Sequence, residues 1–241
     1  TSFGSSATAT SVFGDVMYTP TAVDLMGLPW ENPLTHGHVY YRNGNDIQNP
    51  IWTTYNSFTQ DKVNRAYGNL QIRYEVLKGL NLSYRVGFDN YSEFQMYAQN
   101  KGGQQYATGI YRTSAGNNNI WDHTALASYK TDITSNWDLN VDAGVNSREN
   151  TYSQSGTLSR DQLVYGLLDH TNFITHDIVS ESGSDLDYKV KSQSIGAFAS
   201  ATFGYNQYLY LNLGGRNSWT STLEKANRSI FYPSTSVSFI P

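Results

Sequence analysis

Regular alternation of apolar and polar residues is the feature that most constrains the fold of this chain. In residues 65–76 the even positions are apolar, small or aromatic, whereas the odd positions carry charges or amides apart from Tyr67. After Lys78 and Gly79 the alternation resumes through residues 80–89 with the same parity. A period of two predicts a β-strand with one apolar and one polar face, and the short gap predicts an antiparallel hairpin.

The same pattern predicts two further hairpins and about seven strands in all. Residues 120–130 and 137–147 flank one turn, residues 193–203 and 208–217 flank another, and a last strand begins near Thr235. We expect an outward apolar face that contains Leu70, Ile72, Leu82, Val86, Leu139, Val141, Ala199, Leu209 and Leu211. The opposite face should contain Asn69, Gln71, Arg73, Asn81, Arg85, Asp138 and Asn140.

Connections of two lengths alternate along the chain. Those near Lys78, Asp132 and Tyr205 are short, whereas residues 90–119, 147–189 and 218–230 read as long loops. Rings also gather beside the short turns, at Tyr74, Tyr129, Trp137, Phe203 and Tyr205. This arrangement is typical of an all-β, antiparallel transmembrane β-barrel with short turns at one rim and long extracellular loops at the other. Residues 1–62 are expected to be mostly extracellular loop, with a strand end within 1–14, and residues 63–241 to be consecutive strands and loops of one incomplete barrel.

Composition favours the same class of protein. Charged residues make up 15% of the 241 residues, below the roughly 25% of an ordinary domain, while there are 19 Tyr and 20 Gly. A net charge of −4 argues against a nucleic-acid partner, because binding to phosphates needs a basic surface. No apolar run is long enough for a transmembrane helix. The absence of Cys excludes disulfides and thiolate sites from this chain.

Residues 215–239, GRNSWTSTLEKANRSIFYPSTSVSF, form the most distinctive stretch. They resemble a strand end, a loop and the following strand of the SusC/RagA-type TonB-dependent outer-membrane transporters. The positions that carry the resemblance are Gly215, Arg216, Asn217, Trp219, Asn227, Arg228, Phe231, Tyr232 and Pro233. Residues 49–89 also resemble that family closely. We expect structural roles for this motif, with Arg216 paired to a carboxylate of the lumen or plug and Pro233 at the start of a strand.

The resemblance implies a function in the outer membrane. Its members form 22-stranded barrels that import an oligosaccharide or a peptide. They are coupled to TonB through a TonB box, capped by a SusD-like surface lipoprotein, and surrounded by lipid and lipopolysaccharide. Neither a signal peptide, a plug domain nor a TonB box is recognisable in this sequence. The chain is therefore expected to be a segment of a longer transporter, since an open sheet edge in lipid would leave backbone groups unpaired.

Loop aromatics are the candidate substrate-binding residues. Rings stack on the apolar faces of sugars and peptides while neighbouring amides bond to hydroxyl or backbone groups, and six rings are candidates on this ground: Trp30, Tyr40, Tyr41, Trp52, Tyr106 and Tyr111. For any single ring, packing against another loop is the commoner reason for its presence.

No motif in the sequence indicates catalysis, a metal or a cofactor. His36 and His38 lack a third ligand, the segments 43–46 and 182–185 read as turns, and His170 and His176 have no Ser or Asp in sequence positions typical of a triad. The alternative to a transporter is a soluble β-sandwich that binds carbohydrate. The two differ in one observable property, because a sandwich would bury its apolar stripes against a second sheet.

Overall fold

The computed structural model describes residues 12–41 and 47–240. The strand end expected within residues 1–14 therefore lies largely outside the described residues, as does the segment 43–46. The described part of this segment, residues 12–14, begins a short helix, α1, at Val12–Tyr18. A second helix, α2, spans Pro50–Asn56, and the side chain of Asn49 caps it by accepting from the N–H groups of Ile51 and Trp52.

Antiparallel strands form most of the rest of the described chain. They are β1 Ser57–Leu77, β2 Leu80–Gln99, β3 Ile110–Asp132, β4 Trp137–Gln162, β5 Phe173–Asp177, β6 Tyr188–Tyr205, β7 Leu209–Thr220 and β8 Ser229–Phe239. A single 3₁₀ turn, His170–Asn172, precedes β5. The strands make one sheet in the order β1-β2-β3-β4-β6-β7-β8, with β5 beside β4. The three predicted hairpins are confirmed by this order.

Several strands are longer than the apolar pattern predicts. β2 runs to Gln99 and β3 starts at Ile110, so most of the expected loop 90–119 is strand. β4 likewise continues to Gln162, and β1 starts at Ser57. Ser, Thr, Asn, Gln and Tyr dominate both faces of these extensions, so the alternation that identifies a half-apolar strand is absent there. Backbone pairing needs no apolar face, so the strands continue beyond the residues in which apolar and polar side chains alternate.

Short turns close the hairpins at a single rim. The N–H of Lys130 donates to the carbonyl of Gly79 at 2.9 Å, and the N–H of Asn206 donates to the carbonyl of Asn136 at 2.8 Å. Each turn thus contacts its neighbour, which confirms the prediction that all three lie together. The last turn has Asn206 and Gln207 in the left-handed region, with φ of 49° and 64°, as a type I′ turn requires.

The chain divides into two compact units. One, here called the loop unit, contains residues 1–63, 93–116 and 154–188, and the other, the strand unit, contains residues 64–92, 117–153 and 189–241. Among the described residues, every buried hydrophobic side chain belongs to the loop unit: Ile47, Trp52, Ala98, Ile110, Leu158, Phe173 and Leu186. The strand unit therefore has no buried apolar core of its own among those residues.

Replacement of Gly79 tests the close approach of the turns. Gly79 has φ of +84°, and a Cβ there would lie 2.3 Å from the carbonyl oxygen of Lys130, whereas Gly183, also at +84°, has open space around it. We expect Gly183→Ala to lower the free energy of unfolding by about 1 kcal/mol, the cost of left-handed backbone alone. Gly79→Ala should cost about 3 kcal/mol, because backbone must also shift. Urea unfolding in detergent, followed by Trp fluorescence, measures both losses, and equal losses would contradict the turn geometry.

Candidate functional site

The two faces of the strand unit differ in chemistry, as predicted. Ile72, Leu82, Ala127 and Val145, from four neighbouring strands, line one shallow concavity. The register places Leu211 beside Phe203 of β6 and Val237 of β8 on the same face. Most of these side chains are exposed, with Ile72 at 60% and Val237 at 69%, while Ala127 and Phe203 are half-buried. The apolar face is thus continuous across the strands and lacks a covering layer in the described part of the chain.

Charges and amides pair across the opposite face. Arg65 donates to both carboxylate oxygens of Asp89, at 2.8 Å and 2.6 Å. Arg85 lies 3.9 Å from Asp122, and the Asn146 amide donates to the same carboxylate at 3.3 Å. Further along, the Asn140 amide donates to Asp142 at 3.0 Å, and Ser128 bonds to that residue too. The arrangement suits a wet surface, since each of these groups retains both protein partners and access to water.

Residues of the 215–239 motif hold the β7–β8 hairpin together. Gly215 has no side chain and leaves room for the ring of Phe231, whose atoms lie 3.0 Å from where a Cβ would be. The Asn217 amide donates to Ser229 at 2.9 Å, and register pairs Trp219 with that same residue. In the loop, the N–H of Asn227 donates to the carbonyl of Glu224 and Arg228 donates to that of Leu223. These contacts join β7, β8 and the loop between them.

One expectation about this motif is corrected, and another stays a prediction. The guanidinium of Arg216 lies over the ring of Phe198 at 6.0 Å and donates to Ser218 at 2.9 Å, while its pairing with a carboxylate of the lumen or plug stays a prediction. Pro233 does not start a strand but sits in the middle of β8, opposite Gly215. Proline has no N–H to donate, and a strand tolerates it where that position does not face a hydrogen-bonding partner.

Aromatic rings follow the rim where the turns lie. Trp137 contacts Tyr205 with ring centroids 4.8 Å apart, Tyr205 meets Tyr208 edge-on at 5.5 Å, and Tyr208 meets Phe239 edge-on at 5.9 Å. The row thus links β4, β6, the turn that precedes β7, and β8 at one level. Amphipathic rings gathered at the end of an apolar face are typical of a membrane–water interface.

Buried amides organise the interior of the loop unit. The Asn100 amide donates to Asn56 at 3.0 Å, and the Gln162 amide donates to Asn100 at 3.0 Å. The Gln162 carbonyl in turn accepts the N–H of Lys101 at 2.8 Å. A second set joins Gln48 to Thr53 at 2.8 Å and to the N–H of Gln104 at 2.9 Å. Four of these amide-bearing residues, Gln48, Asn56, Asn100 and Gln162, are buried, so hydrogen bonds between specific partners hold these segments together.

The six rings proposed for substrate binding fall into different environments. Trp52 is fully buried and donates from Nε1 to the carbonyl of His36 at 2.8 Å, so its ring offers no surface to a ligand in this structure. Tyr106 packs against the apolar cluster of Ile110, Leu158 and Leu186, and burial raises the pKa of its hydroxyl to about 12.

The remaining four rings keep some accessible surface. Tyr111 packs edge-on against His170 and parallel to Phe173, at 4.6 Å and 6.0 Å. Trp30 stacks on Tyr55 with centroids 5.0 Å apart. Tyr40 and Tyr41 line a small concavity with Pro20 and Val23, and the hydroxyl of Tyr41 donates to the carbonyl of Pro29 at 2.6 Å. Trp30, Tyr40 and Tyr41 are therefore the rings of this set that lie within the segment 12–41 and remain available.

A serine that the sequence did not reveal lies between the two histidines of this unit. Ser159 Oγ is 2.7 Å from Nδ1 of His170 and 2.7 Å from Nδ1 of His176. Ser159 is fully buried, so it is inaccessible as a nucleophile. Asp169, the nearest carboxylate in sequence, instead accepts from the N–H and hydroxyl of Thr171, and this hydrogen bonding lowers its pKa. No short-range sequence pattern predicts this contact, because it depends on the pairing of β5 with β4.

Across residues 12–41 and 47–240, no group of three or more His, Cys, Asp or Glu side chains is arranged to hold a metal ion. In that same part of the chain, no helix is both long and apolar enough to cross a membrane.

Comparison with known proteins identifies the fold. No protein-family model and no curated protein matches the chain by sequence. Its structure matches the RagAB peptide transporter with a TM-score of 0.71, and the RagAB peptide importer in the open-open and closed-closed states with TM-scores of 0.68 and 0.71. Each match has 20% sequence identity and covers 83% of this chain but 22% of the other.

The chain thus spans about a fifth of the length of these structures, at 22%. Its antiparallel sheet of long strands corresponds to part of the RagA barrel. RagA is a SusC/RagA-type TonB-dependent transporter, so the likeness expected from the motif is confirmed at the level of the fold.

Truncation of Trp52 separates packing from ligand contact. Because the ring is fully buried, Trp52→Ala should lower the stability of the loop unit by about 3–5 kcal/mol. Trp30→Ala removes a half-buried ring and should cost about 1–2 kcal/mol. Limited proteolysis within residues 154–188, at increasing urea concentration, measures both effects. If the two variants resisted proteolysis equally, the packing role of Trp52 would be wrong.

Proposed function

We propose that this chain is a segment of the barrel wall of a SusC/RagA-type TonB-dependent transporter in the outer membrane. The observation that carries the proposal is the pair of faces of the strand unit. An uncovered apolar face lies opposite a face of paired charges, and the described residues of that unit contain no buried apolar core. Such a sheet needs a solvent that is hydrocarbon on one side and water on the other.

The dimensions of the apolar face support a bilayer as that solvent. On a strand tilted by roughly 40°, the alternating apolar run of residues 66–76 covers about 25 Å, the height of the apolar band of membrane barrels. A soluble β-sandwich would bury this face against a second sheet, whereas the described strands form one sheet. The aromatic row at the rim of the turns is where such a bilayer would end.

The proposed cargo is a peptide, with an oligosaccharide as the alternative. The matching structures are peptide importers, which supports the first choice. Trp30, Tyr40 and Tyr41 are the proposed contacts, because a ring with accessible surface can stack on either kind of cargo. The proposed partners are a SusD-like lipoprotein on the outer surface, TonB on the inner side, and lipid with lipopolysaccharide around the barrel.

Paired cysteine substitutions test which face meets lipid. Leu211 and Asn212 are neighbours on β7 and project to opposite faces, and this chain contains no Cys to confuse the labelling. In outer-membrane vesicles that contain the whole protein, Asn212→Cys should react at least about tenfold faster with a water-soluble maleimide than Leu211→Cys does. A lipid-soluble maleimide should reverse the order. Fast labelling of both positions by the water-soluble reagent would point to the soluble sandwich instead.

Energy dependence tests the transport itself. Cells that carry the whole protein should accumulate a labelled peptide mixture, and a protonophore should abolish accumulation while leaving surface binding intact, because TonB draws on the inner-membrane proton gradient. A labelled oligosaccharide mixture serves as the parallel cargo. Accumulation that is unaffected by the protonophore would exclude TonB-dependent import.

A further inference from the structure

A chain of three hydrogen bonds joins four side chains from separate elements of the loop unit. Thr113 of β3 bonds through Oγ1 to Nε2 of His170 at 2.7 Å. The other ring nitrogen of His170 bonds to Ser159 of β4 at 2.7 Å, and Ser159 bonds to Nδ1 of His176 in β5 at 2.7 Å. Residues 163–187 are thereby fastened at two points, His170 and His176, to the strands β3 and β4.

When both imidazoles are neutral, all three hydrogen bonds can form at once. The hydroxyl of Ser159 has one proton, so it can donate to only one of the two imidazoles and must accept from the other. When it donates to His170, His176 carries its proton on Nδ1 and donates back to Oγ. When it donates to His176, the roles are exchanged. Thr113 can donate or accept, so Nε2 of His170 is satisfied in both arrangements.

One additional proton leaves all three bonds in place. The imidazole that donates to Ser159 from Nδ1 can take a proton on its other nitrogen without any change at the serine. For His176, which is exposed, that nitrogen is free to meet water, and for His170 it donates to Thr113. The first protonation therefore breaks none of the three hydrogen bonds.

A second proton cannot be accommodated. Both Nδ1 atoms would then carry protons directed at Ser159, and the hydroxyl proton would have no acceptor within the chain of bonds. Ser159 is fully buried, so water cannot supply one. Two positive rings would also share one hydroxyl. We propose that these four residues form a proton latch, which holds residues 163–187 on β3 and β4 until both His170 and His176 are protonated and then releases them.

Charged neighbours of the latch are themselves paired. Asp169 adjoins His170 and bonds to Thr171, Arg160 of β4 pairs with Asp177 of β5 at 2.8 Å, and Arg112 of β3 pairs with Glu181 at 2.6 Å. The ring of Tyr111 covers one edge of His170. Burial lowers the pKa of His170, Asp169 raises it in part, and His176 lowers it further. The pKa of His170 in the folded unit therefore lies below that of an unfolded His. As pH falls through the range in which His170 takes up its proton, the folded unit loses stability, which is the direction that release requires.

Hydrogen exchange of the whole protein in detergent tests the latch. After correction for the intrinsic pH dependence of exchange, amides in residues 163–187 should exchange about tenfold faster at about pH 5 than at about pH 7.5. His176→Asn keeps a polar partner for Ser159 but cannot become doubly charged with His170, so its exchange should show no acceleration at the lower pH. His123→Asn, which changes a histidine of the strand unit bonded to Tyr84, is the matched control and should behave as the wild type does.

Ser159→Ala provides a second variant. It removes two of the three bonds, so residues 163–187 should exchange rapidly at both pH values. Loss of the acid response in His176→Asn, together with its retention in His123→Asn, supports the latch. An identical acid response in wild type and His176→Asn, or no acid response in wild type, would overturn it, and neither result requires Ser159→Ala to fold.

Discussion

Backbone hydrogen bonding between neighbouring strands is the constraint on which the rest of the structure depends. A sheet that meets hydrocarbon has no water to satisfy its N–H and C=O groups, so every strand must lie beside another. The order β1-β2-β3-β4-β6-β7-β8 supplies those partners, some through hairpins with short turns and the others through longer connections. Once the backbone is paired, side chains are free to differ on the two faces. Leucines can therefore remain uncovered on one face while Arg65 and Asp89 pair on the other.

In the loop unit, buried polar groups are satisfied largely by side-chain amides. Its apolar cluster is small, centred on Ile110, Leu158 and Leu186, and much of the remaining interior consists of amide side chains that bond to one another or to backbone. Apolar contacts tolerate sliding, whereas amide donors and acceptors must meet at set distances and angles. Specific hydrogen-bond partners therefore determine the fold of the loop segments more than the amount of buried apolar surface does.

The sequence predicts the parts of this fold that have a local signal. Alternation in residues 65–89 determines the strands, their common apolar face and the turn at Gly79, and the motif at residues 215–239 indicates the barrel fold. Alternation could not predict the length of β4, because residues 147–162 are polar on both faces. Nor could it place Pro233, whose position in mid-strand depends on the register of β8 against β7. The histidine contacts of Ser159 and the burial of Trp52 could not be predicted for a related reason, since both depend on contacts between distant segments.

The amide network of the loop unit has a consequence for how such a protein can change its specificity. Asn56, Asn100 and Gln162 come from three stretches of chain and bond to one another in turn, and further bonds join them to Tyr165, Gly166 and Lys101. A single segment transplanted from a relative would leave buried donors or acceptors unpaired, at a cost of about 1–3 kcal/mol for each group. Substitutions are therefore better tolerated at positions with accessible side chains, such as the half-buried Trp30 and the exposed Tyr55. Larger exchanges require the interlocked segments to be inherited together.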